Sequence, residues 1–158
     1  MLFRSIIAKV LSDKGSPFLR SIIINKGSKH KINLGMVVMD GAYLVGKVVE
    51  ANYLSSRVLL LSDLNSKIPV IVEPNAVFSI LSGTCKEYGI IQYSKKYEDI
   101  KNESVIYTSG AGSLFKAGIP IGRMNINNLS DEKKVEFFSD FSQLKFVKVV
   151  SFKKSENK

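Results

Sequence analysis

The sequence predicts an all-β fold closed into two small barrels of about six strands each, side by side. Three observations carry this. Short runs rich in Ile, Val, Tyr and Phe recur along the whole chain, as a pleated, half-buried surface prefers. Clusters of Gly, Asp, Asn, Ser and Pro punctuate them. No stretch sustains a helical apolar stripe.

In chain order the first run is Arg4–Leu11, closed by Asp13-Lys14-Gly15-Ser16-Pro17. Ser21–Ile24 follows and ends in Asn25-Lys26-Gly27-Ser28. Met36–Met39 and Leu44–Val49 flank Asp40-Gly41, the strongest hairpin signal, because glycine supplies the φ > 0 that tight hairpin turns require. Arg57–Leu61, Ile68–Glu73 and Val77–Leu81 come next, then Ser82-Gly83. Gly89–Tyr93 and Ser104–Thr108 lead into Ser109-Gly110-Ala111-Gly112, and Ile119–Ile126 follows. Asp131–Phe141 is the best helix candidate, with Asp131 as N-cap, but Phe137-Phe138 suits a buried strand over Lys134–Phe138 at least as well. In the last run, Lys145–Phe152, neither face is purely apolar, so it reads as an edge strand open to a partner. Glu73-Pro74-Asn75 reads as a hinge. It places the first barrel in residues 1–73 and the second, with a charged tail, in residues 74–158, with strands free to interleave.

Length and composition agree with one domain or two small ones sharing a core: 158 residues, 45% hydrophobic and 23% charged. No apolar run approaches the roughly 18 residues that cross a bilayer. The N-terminal apolar stretch is split by Arg4 and stopped by Lys9, unlike a signal peptide. Lys and Arg number 23 against 14 acidic residues, a net charge of +9. That excess is spread evenly, +5 over residues 1–79 and +4 over residues 80–158, rather than gathered on one stripe as nucleic-acid binders tend to do. Cys85 is the single cysteine and His30 the single histidine, too thin an inventory for a disulfide or a structural zinc site.

The chemical motifs resolve into turns. His30, Asp63 and Ser109 stand in the chain order of a chymotrypsin-type triad. His30, however, lies in the cationic turn Gly27-Ser28-Lys29-His30-Lys31, where flanking lysines and solvent oppose a sheltered, oriented base. Gly110-Ala111-Gly112-Ser113 lacks the Gly-Lys-Ser/Thr and following helix of a phosphate loop. Lys86 to Tyr97 interleaves lysines with Tyr88, Tyr93 and Tyr97, but Tyr88 and Tyr93 face opposite sides of one strand and cannot form one stacking platform. Successive rings at Phe137 and Phe138 must also part. One enters a barrel, and the other lies between barrels, under a loop, or on an interaction surface.

Taken together, the punctuation resembles the bacterial rod-shape-determining MreC family. Gly41-Ala42-Tyr43-Leu44-Val45-Gly46-Lys47-Val48, then Ser56 to Asp63, then Ile68-Pro69-Val70 fit its pattern. So do Asn25-Lys26-Gly27-Ser28 leading to Leu34-Gly35-Met36. Thr108-Ser109-Gly110-Ala111-Gly112, running to Phe115 and through Gly118-Ile119-Pro120-Ile121-Gly122, resembles the family's most distinctive stretch. Asp140-Phe141, Leu144 and Val147 match its closing strand. The chain departs at Lys116, where the family usually has Pro, at Glu103-Ser104 in place of Gly-Asp, and at Lys31 in place of a turn glycine. The family's N-terminal membrane helix and coiled coil have no counterpart, so Met1 reads as the start of an extracytoplasmic fragment.

The resemblance implies two small β-barrels in a chymotrypsin-like arrangement without a catalytic site. It implies a non-enzymatic scaffold of the lateral cell-wall elongation complex, organising peptidoglycan synthases on the periplasmic side of the cytoplasmic membrane. It implies as partners a class B penicillin-binding protein, MreD and further copies of itself, with no nucleic acid, cofactor or metal. Gly41, Gly46, Gly110, Gly112, Gly118 and Gly122 are expected as structural turn glycines. Tyr43, Phe115, Phe137, Phe138, Phe146 and Phe152 are the candidate partner or self-association surface. The alternative from another class is a basic OB-like nucleic-acid-binding module.

Overall fold

The computed structural model describes residues 4–11, 20–92, 100–111, 116–126 and 132–151. Among them run twelve strands: β1 (Arg4–Leu11), β2 (Ser21–Ile24), β3 (Val37–Asp40), β4 (Tyr43–Ala51), β5 (Ser56–Leu60), β6 (Lys67–Glu73), β7 (Val77–Gly83), β8 (Tyr88–Gln92), β9 (Val105–Thr108), β10 (Pro120–Asn125), β11 (Lys134–Phe137) and β12 (Phe146–Ser151). Each coincides within a few residues with a run expected above. The stretch around Phe137 is strand, not helix. One-turn 3-10 helices occupy Ser28–His30 and Phe141–Gln143.

The strands close two antiparallel barrels, β1-β12-β3-β4-β5-β2 and β10-β11-β8-β7-β6-β9. Closure pairs every strand on both sides and so removes the free edges that would template association. Two expectations change here. The Glu73-Pro74-Asn75 segment is no hinge: Val72 pairs with Val77, making it the tip of the β6–β7 hairpin within the second barrel. The chain passes between barrels earlier, through Leu61–Ser66, pinned by Leu61 N–H to Val45 O at 3.0 Å and Gly83 N–H to Ser66 O at 3.0 Å. Nor is the last strand an edge of the second barrel. β12 returns to the first, pairing Ile7 with Lys148 on one side and Met39 with Lys148 on the other. Its mixed faces reflect two different environments, solvent and a neighbouring barrel, rather than an open flank.

Alternation along the strands fills two cores. Ile24, Val38, Val45, Val58 and Val149 point into the first barrel. Val70, Leu81, Ile91, Ile106 and Val135 fill the second. The second core continues across the junction, because Val37, Met39, Leu44 and Val150 project from the outer wall of the first barrel into it. β3 shows the division most directly, with Val38 inward and Val37 and Met39 outward, all three buried. The barrels therefore share apolar surface instead of hanging on a linker.

Candidate interaction surface at the barrel junction

The junction is made possible by a bulge in β4. Val38 pairs with Gly46 but Met39 pairs with Leu44, so Val45 is the extra residue. The bulge lets consecutive apolar residues serve two cores, Val45 inside the first barrel and Leu44 between barrels, both fully buried. Gly46 follows because nothing larger fits: a Cβ there would overlap the Leu59 carbonyl oxygen and lie 2.9 Å from its carbon. The second barrel repeats the device in β10. The register shifts between Pro120 and Gly122, and a Gly122 Cβ would overlap the Glu136 carbonyl oxygen. Gly46 and Gly122 are thus close-approach glycines inside strands, not turn glycines. Gly41 and Gly118 lie in turns and Gly110 in the loop after β9, with φ +88° at Gly118 and +76° at Gly110. Gly112 lies outside the described residues.

Aromatic side chains line the seam. The rings of Phe137 and Phe138 part as alternation requires. Phe137 packs on the second core and meets Phe141 with centroids 4.9 Å apart. Phe138 meets Tyr43 of the first barrel at 5.0 Å, and the Arg123 guanidinium carbon lies 5.7 Å from the Phe138 centroid. Beside them Ser139 Oγ donates to Asp40 Oδ2 at 2.7 Å, a hydrogen bond between barrels. Asp140 then caps the Phe141–Gln143 turn, accepting from Ser142 N–H at 3.0 Å and from Ser142 Oγ at 2.6 Å. Those two donors hold its exposed carboxyl below the ordinary carboxylate range, since they stabilise the anion.

Beside them lies an open cleft of about 350 Å³, with Arg20, Ser62, Glu87, Phe137, Phe138 and Asp140 among its lining. Ser62 Oγ is buried there without a hydrogen-bond partner. An apolar floor with charges of both signs at the rim suits the side chains of another protein. Of the surface candidates, the structure gathers Tyr43, Phe137 and Phe138 at the seam, the latter two half-buried and engaged within the chain. Phe146 stands apart on the outer wall of the first barrel, 60% exposed. Phe115 and Phe152 lie outside the described residues.

No triad assembles from the three residues weighed for it. His30 Nδ1 accepts from Gly27 N–H at 3.2 Å in its own turn. Asp63 is fully buried, accepting from Arg20 N–H at 2.7 Å and Asn65 N–H at 2.8 Å. Ser109 Oγ accepts from Ala111 N–H at 3.2 Å. Asp63 is instead a linker clamp. Lys134 Nζ sits 4.6 Å from the Tyr88 ring centroid, and Tyr93 and Tyr97 lie outside the described residues. Among the described residues no group of three or more His, Cys, Asp or Glu could hold a metal ion, and no helix is long and apolar enough to cross a membrane.

Sequence reasoning missed the Ser139–Asp40 bond, Leu44 as a junction residue and Ile7 as an exposed one. The last two had a signal: in Leu44-Val45 and Ile6-Ile7, adjacent apolar residues in a strand must face opposite ways.

Residues 10–151 match the family model "Rod shape-determining protein MreC, barrel core". The cell shape-determining protein MreC of Cereibacter sphaeroides is 32% identical over 141 residues, 89% of this chain and 47% of the relative. That of Caulobacter vibrioides is 31% identical over 146 residues, 92% of this chain and 42% of the relative. The chain thus spans less than half the length of these relatives. The crystal structure of MreC from Pseudomonas aeruginosa superposes with a TM-score of 0.84 at 27% identity, covering 92% of this chain and 98% of that one. A complex between penicillin-binding protein PBP2 and MreC from Helicobacter pylori matches in fold, with a TM-score of 0.69 at 13% identity over 94% of this chain and 98% of that one.

Proposed function

The chain belongs to the MreC family of rod shape-determining proteins, and from that membership we propose that it is a non-enzymatic scaffold of the lateral cell-wall elongation machinery. It acts on the extracytoplasmic side of the cytoplasmic membrane. There it holds a class B penicillin-binding protein in place, together with MreD and further copies of itself. The observation that carries this reading is the construction of the junction. Two closed barrels share one apolar core and are tied by Ser139 to Asp40 at 2.7 Å, which makes a stiff body that presents walls and a cleft. The three residues weighed as a triad each accept a backbone N–H elsewhere, His30 from Gly27, Asp63 from Arg20 and Ser109 from Ala111. The Helicobacter pylori relative, solved with PBP2, supports the choice of partner.

Calorimetry of this chain with the ectodomain of the class B transpeptidase from the same organism tests the proposal. Saturable binding is expected, and no detectable heat at protein concentrations of about 100 μM would overturn it, since that bounds the affinity weaker than useful signalling encounters. A parallel titration with a single-stranded oligonucleotide separates the OB-like alternative. Phosphate contacts give log affinity that falls linearly with log salt.

A further inference from the structure

The outer wall of the first barrel carries an apolar and basic face that neither the cores nor the cleft uses. In the β1–β12 register, Ala8 opposite Val147 points inward, so Ile7 opposite Lys148 and Lys9 opposite Phe146 point out. Ile7 is 68% exposed, Phe146 60% and Leu11 39%. Ile7 and Phe146 are diagonal neighbours across the strand pair, within reach of one another. Leu11 pairs with Ile23 of β2, which extends the apolar strip along the wall. Lys9 and Lys148 are the charged residues on this face, and β1, β2 and β12 contain no Asp or Glu.

We infer that this face, centred on Ile7 and Phe146 and flanked by Lys9 and Lys148, docks an acidic, apolar-faced segment of a partner protein. The inference rests on the scaffold reading above and names a surface for it. Three alternatives fit less well. Strand addition has no free edge to use, because β1 and β12 are each paired on both sides. A second copy presenting the same face about a twofold axis would set Lys9 and Lys148 against like charges, which disfavours pairing. A bilayer would have to take in the mid-strand lysines together with the apolar rings, because a strand wall does not protrude as a loop tip does. An extended segment with Leu or Ile and Glu or Asp two residues apart, and so on the same face, meets both requirements, apolar onto Ile7 and Phe146, carboxylates onto the lysines.

The test uses nitrogen-15-labelled chain titrated with two synthetic peptides, one of Leu-Ser-Glu-Ser repeats, which put Leu and Glu on one extended face, the other with Lys in place of Glu. The acidic peptide is expected to shift the Ile7, Lys9, Phe146 and Lys148 resonances and the basic one to leave them. Ile7→Glu with Phe146→Glu, and separately Lys9→Glu with Lys148→Glu, should each weaken the acidic peptide at least about tenfold. Phe78→Glu, on the second barrel and 66% exposed, should not. Equal response to both peptides, shifts elsewhere, or affinity for anionic vesicles without affinity for the peptide would overturn the inference. So would loss of self-association alone in the Ile7→Glu, Phe146→Glu chain, measured by sedimentation. The same variants are then measured against the transpeptidase ectodomain. If the wild-type chain binds the acidic peptide on this face but not the ectodomain, the scaffold reading fails and the docking face stands. If the ectodomain binds wild type and variants alike, the face fails and the scaffold reading stands.

Discussion

Gly46→Ala places one methyl group where the barrel has no room for it. A Cβ on Gly46 overlaps the Leu59 carbonyl oxygen and sits 2.9 Å from its carbon, against the 3.4 Å at which ordinary contact begins. These are backbone atoms of the neighbouring strand, so no side-chain rotation relieves the overlap. β4 and β5 must move apart by at least about 0.5 Å at the carbon and further at the oxygen. Gly46 pairs with Leu60 at that point, and the bulged Val45 and its neighbour Leu44 fill two cores, so the displacement spreads into both. Overpacking of a well-filled interior costs about 1–3 kcal/mol, and an overlap with backbone belongs at the upper end. Without the clash the sign would reverse, because Gly→Ala in a permissive strand stabilises by about 0.4–1 kcal/mol. For a chain of this size about 3 kcal/mol lowers the melting temperature by roughly 6–12 °C. Thermal and urea unfolding followed by circular dichroism read the change directly. Gly118→Ala is the control: at φ +88° with nothing within 4 Å it carries torsional strain alone, about 1–2 kcal/mol. A Gly46→Ala chain that melts at or above wild type would refute the close-approach argument.

Four further outcomes follow from the same geometry. Leu44→Ala, at a fully buried junction position, should cost about 2–5 kcal/mol and lower amide protection in both barrels; protection lost only in the first barrel would contradict a shared core. Ser139→Ala leaves the Asp40 carboxylate without its partner from the other barrel and should destabilise by about 1–3 kcal/mol, read by urea unfolding; an unchanged midpoint would mean the bond is not made in solution. Lys31→Gly and Glu103→Gly should each raise the melting temperature slightly, by up to about 1 kcal/mol of stability, because both residues stand in left-handed backbone at φ +65° and +68°. The fourth concerns Asp140, whose folded-state carboxyl is depressed. Its contribution is present above the ordinary carboxylate range and fades as pH falls through the lowered value, and Ser142→Ala should move its carbon-13 titration upward, stopping short of the ordinary value because the Ser142 N–H still donates.

Lys31 and Glu103 show how far sequence reading can reach. Both stand where the family resemblance expects a glycine or a Gly-Asp turn, and the chain keeps the left-handed geometry there without the residue that adopts it most easily. Backbone hydrogen bonds hold both positions: Lys31 N–H donates to Ser28 O at 3.0 Å at the end of the Ser28–His30 turn, and Glu103 N–H donates to Met124 O at 3.1 Å. The Glu73-Pro74-Asn75 segment shows the opposite. Proline before a turn residue announces a change of direction, but a hairpin tip and a hinge between barrels carry the same local signal. Only the pairing of Val72 with Val77 tells them apart. The candidate surface divided in the same way. Adjacent phenylalanines foretold that rings would part, while the distances to Tyr43 and Phe141 that decide which ring seals the seam depend on residues far away in the chain.

The sequence by itself determined the strands, the turns between them and the all-β class. Those properties are local: alternation, β-branching and glycine act over a few residues. The tertiary structure alone decided that β12 crosses back to close the first barrel, that Gly46 and Gly122 admit a neighbouring backbone, and that Ile7 and Phe146 share an exposed wall. Each depends on register between strands distant in sequence, and register is settled by which buried side chains fit together across the barrel, a property no short window of residues contains.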